Sequence, residues 1–336
     1  MKEIKAAALS FIILFIIFAI VFWFFNSPPY TMKGDTITVR PGMNIHQVAY
    51  FLKSKNIIKS ASFFYILGRV LNATDVKAGN YRIYDGESSF SILIKLTRGK
   101  FVTKRITIPE GYTIYDIARV LAANDICTEG DFLYWAQSPS FLASLGIRAP
   151  SAEGYLFPDT YVIPENTDPR DIIIRLVNQT KKVIHDIQES IEVQYSNLHQ
   201  ILTVASLVEK EAKINSERIL IAAVFYNRLK LKMKLDCDST IQYGLKKFGK
   251  RLTYDDLDSD TPYNTYKYTG LPPTPICNPG KRSILAALNP AQVPYLFFVS
   301  RNDGSHYFSK TLSEHNRAVD FYQKGIRNGF KDRQKY

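Results

Sequence analysis

Residues 6–25 carry no charged side chain, and Ser10 is their one polar position. As a helix rising about 1.5 Å per residue, such a stretch reaches ~30 Å, the hydrocarbon thickness of a bilayer. It closes on "FWFFNSPP", which is bulky where a cleavable signal peptide ends in small residues. The pattern therefore predicts a short cytoplasmic stub and a retained membrane-spanning helix within residues 1–26, and a Pro- and Gly-containing linker over 27–34. The pattern then repeats. "VRPGMNIHQVAYFLKSKNIIKSASFFYI" at 39–66 and "IPEGYTIYDIARVLAANDICTEGDFLYW" at 108–135 align at a constant offset of 69 residues. Gly42 meets Gly111, Ile45 meets Ile114, Leu52 meets Leu121, and Phe63 meets Phe132. Each copy reads as strand, glycine turn, helix with apolar residues at i, i+3, i+4 and i+7, short loop, second helix. Cys127 takes the slot of Ile58, the place of a small buried hydrophobe rather than a reactive thiol.

Between the copies, residues 75–100 predict a strand, a turn at Asp85–Gly86 and a helix ending near Gly99. "EGYLFPDTYVIP" at 153–164 is aromatic, Pro-punctuated and extended. Residues 169–193 and 197–213 follow as helices, and a further helix runs from about Ser216 to Leu231. "SILAALNP" is a short helix. "YLFFVSRNDGSHYFS" is a hairpin turned at Asp303–Gly304, and a last helix begins near Ser313. The fold class is α+β: a transmembrane helix, an α/β region over 35–103, and a mixed α+β domain over 104–336 that opens with the second half-repeat.

The helix at 197–213 holds an oddity. Ile201, Ala205, Val208 and Ala212 form an apolar line, yet "SLVEKEAK" places Glu209 and Glu211 beside it. At 100° per residue the two carboxylates lie roughly 80° to either side of that line. A boundary carboxylate half-shielded by apolar neighbours has a raised pKa, which is what a general acid at neutral pH requires. A solvated face, with Glu209 pairing Lys213, is the plainer alternative. Periodicity does not choose between the two glutamates. Two loops add weight to a site. "GLPPTPICNPG" at 270–280 is stiffened by four prolines and suits the wall of a groove. "YNTYKY" at 263–268 supplies rings and an amide for sugars.

Charge narrows the partners. With 43 basic and 31 acidic residues the net charge is +12, which favours an anionic polymer or lipid headgroups. The basic residues are scattered apart from "KLKMK" at 230–234 and the tail "KDRQK" at 331–335, so no nucleic-acid stripe emerges. Lys2 and Lys5 precede the apolar span, which sets the N-terminus in the cytoplasm and the bulk outside it. Three cysteines, Cys127, Cys237 and Cys277, make no disulfide framework. No C-x-x-C or clustered histidines suggest a metal, and no cofactor is expected.

Read together, "EGYLFPDTY", "ASLVEKEA" with "SERILIAAVFYNRL", "LDCDSTIQYGL", "YNTYKYTGLPPTPICNPG" and "DGSHYFSKTLSEHNRAV" resemble the YceG-like membrane-bound endolytic murein transglycosylases over nearly the full chain. Cys237 and Cys277 depart from the usual pattern, where polar or small residues stand. The resemblance implies a single span in the cell membrane, a LysM-like region at 35–103, and a catalytic domain facing the cell wall. It implies that the first glutamate of "EKE", Glu209, is the catalytic acid. That residue would protonate the bond between N-acetylmuramic acid and N-acetylglucosamine within glycan strands. It would then act as base while the muramic 6-hydroxyl closes a 1,6-anhydro ring, ending strand elongation. Peptidoglycan is the implied partner, along with its synthases. Glu211, Glu217, Tyr226 and Asn227 are candidates for support. Asp238, Tyr243, Asn264, Tyr266 and Asn278 are candidates for glycan contact. Two other readings stand beside this one: a non-catalytic LysM-like scaffold, and a hydrolase pairing Glu209 with Asp238 or Glu153.

Overall fold

The structure, a computed structural model, describes residues 2–192 and 197–325. The basic tail at 331–335 lies outside the described residues. The chain divides into two compact units, one running to Lys104 and including Val162–Thr167, the other built from Arg105–Tyr161 and the chain from Asp168 onward.

The N-terminal unit begins with α1 (Lys2–Asn26), the apolar helix expected from the sequence. Its stretch Ala7–Asn26 is long and apolar enough to cross a membrane and is not buried in the protein. There follow β1 (Asp35–Val39), α2 (Ile45–Ser54), α3 (Ala61–Val70), β2 (Gly79–Ile83) and α4 (Ser89–Arg98). β1 pairs antiparallel with β2, with Ile37 opposite Tyr81 and Asp35 opposite Ile83. Alternation along each strand turns Ile37, Val39, Tyr81 and Ile83 inward, onto Val48, Leu52, Phe64, Ile92 and Leu96. α4 ends because Gly99 adopts φ +65°, a left-handed cap that costs glycine little.

The repeat recurs further along the chain. After β3 (Thr103–Thr107) come α5 (Ile114–Ala123), α6 (Glu129–Ala136), α7 (Pro139–Ser144) and β4 (Thr160–Pro164), which pairs with β3. α5 begins and ends 69 residues after α2. Both start with a capping box, Asn44 with Gln47 and Thr113 with Asp116, closing the orphan N–H groups of the first turn. Both leave through a left-handed residue, Asn56 at φ 57° and Asp125 at φ 53°. The repeat is thus one of backbone and caps as well as of apolar spacing.

The rest comprises α8 (Pro169–Ile191), α9 (Leu198–Glu211), a 3-10 turn at Asn215–Glu217, α10 (Arg218–Lys230), α11 (Asp238–Gly244), α12 (Tyr254–Leu257), α13 (Lys281–Leu288), β5 (Phe297–Ser300), β6 (His306–Ser309) and α14 (Leu312–Gln323). α9 is the hub and packs on α10, α11 and α13. Its seven consecutive residues Leu202–Val208 are all buried, the signature of a helix enclosed on every side. The single apolar stripe read from the sequence understates this. The missing cover is the proline loop. Ile276 donates its N–H to Ser206 Oγ at 3.0 Å, and Thr274–Gly280 are buried. That loop is packing against α9 rather than an exposed groove wall. Gly154, at φ +83°, lets it approach, since a β-carbon there would sit 2.4 Å from the Pro275 ring.

Candidate active site

Glu209 and Glu211 leave the last turn of α9 about 200° apart and meet opposite surroundings. Glu209 Oε1 accepts from Arg218 Nη1 at 3.1 Å, and the two side chains are 7% and 10% exposed. Its Oε2 accepts from the Gly280 N–H at 2.9 Å. Gly280 is the N-cap of α13, so a carboxylate here faces the positive end of a helix as well as a guanidinium. Arg218 is itself held by Ser283 Oγ and by Asn215 Oδ1. The arrangement is a near-buried ion pair tying the end of α9 to the starts of α10 and α13.

Glu211 has neutral partners. Its Oε1 accepts from Cys237 Sγ at 3.2 Å and from Ser239 Oγ at 3.2 Å. Burial holds its carboxyl above the usual carboxylate range, opposed by those two hydrogen bonds, reinforced by the charge of Asp238 and eased by His306. Burial also pushes the Cys237 thiol well up, so it remains an S–H donor rather than a thiolate. Glu211 lines a cavity of about 570 Å³, together with Cys237, Asp238, Tyr266, Phe297, Phe298, Arg228 and His315. That size suits a small-molecule or sugar subsite. On the same cavity, Tyr266 donates its hydroxyl to Asp238 Oδ1 at 2.7 Å, which presents a ring and a carboxylate as one hydrogen-bonded pair.

The cavity walls are fixed by polar anchors. Arg228 donates from Nε to Leu296 O at 2.7 Å and from Nη1 to Leu235 O and Asp236 Oδ2 at 3.1 and 3.0 Å. Its guanidinium lies 5.0 Å from the Phe297 ring centroid. This one side chain thereby holds β5 and the segment leading to Cys237. Glu217 accepts from the His306 N–H at 2.9 Å and sits 2.7 Å from its Nδ1. The His306 ring meets Phe298 edge-on at 5.4 Å. Burial and the nearby Arg228 charge lower the pKa of His315.

Of the residues singled out from sequence, Glu211, Asp238 and Tyr266 come together on the cavity. The others lie off that cavity lining and bond to protein groups. Tyr226 donates to Ala287 O, and Asn227 Nδ2 donates to Val293 O and Tyr295 O. Asn264 is buried and donates to Leu257 O and Ser259 O, while its Oδ1 accepts from the Tyr266 N–H. It therefore supports a cavity residue without lining the cavity. Tyr243 and Asn278 both donate to the buried carboxyl of Glu153, at 3.0 Å each. Burial pushes Glu153 up to about 8, against the hydrogen bonds from Ile114 N–H and Tyr243. Sequence reasoning missed Arg228, Ser239, Phe297 and Phe298, and it weighed His306 and His315 only as metal ligands nine residues apart. The two histidines stood within "DGSHYFSKTLSEHNRAV", where polar residues beside a hairpin were the available signal.

A family model described as the YceG-like family matches residues 37–321. A Bacillus subtilis protein named endolytic murein transglycosylase is 35% identical over 302 residues, covering 85% of this chain and 84% of that protein. A Streptococcus pneumoniae protein of the same name is 31% identical over 319 residues, covering 85% of this chain but 58% of its own length. A 2.6 Å crystal structure of a yceG-like protein from Listeria monocytogenes superposes with a TM-score of 0.58 at 36% identity, covering 86% of this chain and 100% of that one. On the span of the match and the identity of its relatives, this chain belongs to the YceG-like family.

Proposed function

We propose that this protein is a membrane-anchored endolytic transglycosylase of peptidoglycan, with Glu211 as its catalytic acid and base. The relatives' name supplies the reaction class. The observation that carries the assignment is the position of Glu211 on the cavity wall with its carboxyl held above the usual range. The first glutamate of "EKE" was expected to do this work. Glu209 accepts from Arg218 Nη1 and from the Gly280 N–H, and in this reading it serves as an anchor between helices.

In this reading the protonated Glu211 donates to the glycosidic oxygen between N-acetylmuramic acid and N-acetylglucosamine. The resulting carboxylate then removes the proton from the muramic 6-hydroxyl as that oxygen attacks its own anomeric carbon. The product is a 1,6-anhydro end, no water is consumed, and the tethered nucleophile has a high effective molarity. Cys237 and Ser239 engage Oε1, which leaves Oε2 to carry the transferred proton. Asp238, Tyr266 and the phenyl rings would bind sugar. Residues 35–103, as a LysM-like region, would add glycan affinity without chemistry, and α1 would hold the enzyme in the cell membrane with the chain after it outside the cytoplasm. Cleavage there would end the elongation of nascent strands near their synthases.

Asp238 lines the same cavity as Glu211, which favours one competing reaction, hydrolysis with two carboxylates. Mass spectra of the muropeptides released by the purified protein separate the two. Transglycosylation yields anhydro ends, and hydrolysis yields the same fragments with water added. Anhydro products from wild type and none from Glu211→Gln are expected. Hydrated products from wild type would overturn the reaction, and anhydro products from Glu211→Gln would overturn the residue.

A further inference from the structure

α1 is not a loose tether. Lys59 Nζ donates to Phe24 O at 3.0 Å and to Ser27 Oγ at 2.7 Å, with its ammonium 4.3 Å from the Phe24 ring centroid. Ser89 Oγ donates to Phe25 O at 3.3 Å, and the Phe90 N–H donates to Asn26 Oδ1 at 2.9 Å. Two separate segments of the N-terminal unit therefore satisfy carbonyls and a side chain at the C-terminal end of α1, where an isolated helix would leave them to water. The Phe63 ring then packs at 5.9 Å from Phe25 and 5.6 Å from Phe22.

These contacts give a direction. Lys59 meets α1 at the level of Phe24–Ser27, and Phe63 meets it at Phe22–Phe25. Between those two residues the chain moves inward along α1, by roughly 3 Å at 1.5 Å per helical residue. α3 carries on from there. Phe63, Ile66 and Val70 share one of its faces, at i, i+3 and i+7. Ile66 is 58% exposed, Val70 77% and Leu71 42%. α3 has no acidic residue, and its single charge is Arg69 in the last turn. An exposed apolar row that continues the packing of a membrane-spanning helix, with one arginine able to reach headgroups, is the pattern of a helix lying in the bilayer interface.

We propose that α3 is a second membrane contact, an interfacial helix whose Ile66, Val70 and Leu71 enter the boundary between lipid headgroups and acyl chains beside α1. The proposal rests on the reading that α1 spans the bilayer. It makes the N-terminal unit a membrane-seated platform rather than a free module on a linker.

The test uses the full chain in phospholipid vesicles, with Cys127→Ala leaving the buried Cys237 and Cys277 as the other thiols. A polarity-sensitive fluorophore is placed on Val70→Cys and, separately, on Trp23→Cys within the span. Vesicles carry a nitroxide at a shallow acyl position. The Val70→Cys label should emit to the blue and be quenched at least about half as strongly as the Trp23→Cys label. Adding Ile66→Asp should reduce that quenching with the melting temperature unchanged. A Val70→Cys label that is unquenched while Trp23→Cys is quenched overturns the proposal. If that unquenched label is also blue-shifted, protein rather than lipid covers α3. An unquenched Trp23→Cys label overturns the spanning reading itself, and the proposal with it.

Discussion

Replacing each glutamate of "EKE" by glutamine separates chemistry from scaffolding, because the two residues fail in different ways. In Glu211→Gln the amide oxygen still accepts from Cys237 and Ser239, and no buried cation loses a partner. The fold should keep its melting temperature. The transferable proton is gone, so turnover should fall by about 10²–10⁴, the usual worth of a general acid. In Glu209→Gln the Arg218 guanidinium, 10% exposed, keeps a neutral acceptor but loses its counter-charge. Breaking a buried pair costs about 3–5 kcal/mol. Taking ~3 kcal/mol, and ~2–4 °C per kcal/mol for a unit of this size, the melting temperature should drop by roughly 6–12 °C. Activity assayed well below that temperature should persist. The assay pairs thermal melts with chromatographic quantitation of released muropeptides. A stable but inactive Glu209→Gln beside an active Glu211→Gln would refute the reasoning and return the acid's role to Glu209.

Three further outcomes follow from the same geometry. Glu211 must be protonated to act, so the alkaline limb of the kcat–pH profile should lie above the usual carboxylate range. Cys237→Ala or Ser239→Ala removes a bond that favours the charged form and should move that limb to still higher pH, with Cys237→Ser restoring it; a downward shift would contradict the arrangement. Glu153 is raised from 4.5 to about 8 in the fold, so its neutral form is the one burial favours. Its contribution to stability is complete below 4.5 and lost as pH rises through about 8. Melting temperature should therefore fall more steeply over that window in wild type than in Glu153→Gln, and equal slopes would count against it. Arg228→Lys keeps the charge but not the planar fork that reaches Leu296 O, Leu235 O and Asp236. It should cost ~2–4 kcal/mol in denaturant unfolding and lower kcat, while an unchanged midpoint would show that the cavity wall does not depend on it.

Much of the fold was legible because its signals are local. The offset of 69 residues located two helix pairs, and the caps at Asn44 and Thr113 fix their starts. The turns at Gly86 and Gly99 fell where glycine was needed for positive φ. The long apolar helix α1 was readable from the absence of charge alone. Burial around α9 was not, because it depends on a loop about 70 residues later: Ser206 meets Ile276, and no periodicity within the helix encodes that. The same limit applies to Asn264 and Asn278. Amides in aromatic or proline-rich loops read as sugar ligands, yet Asn264 donates to two backbone carbonyls and Asn278 joins Tyr243 and the Ile114 N–H at the buried Glu153 carboxyl.

The glutamate pair shows where sequence geometry stops. Helix angles say that Glu209 and Glu211 face apart, and nothing in "SLVEKEAK" says what waits on each side. The proposed answer rests on the partners each one meets. A guanidinium and the N-cap N–H of a helix gather around Glu209. A thiol and a hydroxyl meet Glu211 inside a cavity, which tolerates a neutral acid. On the proposed assignment, environment alone sorts one pair of identical side chains into an anchor and a proton carrier. The two are nevertheless coupled. Glu209 joins the last turn of α9 to the first residues of α10 and α13, and Glu211 projects from that same turn. Loosening the ion pair should therefore change the aim of Glu211 before it changes its chemistry, so a residual defect in Glu209→Gln should appear as a lower kcat with an unmoved alkaline limb.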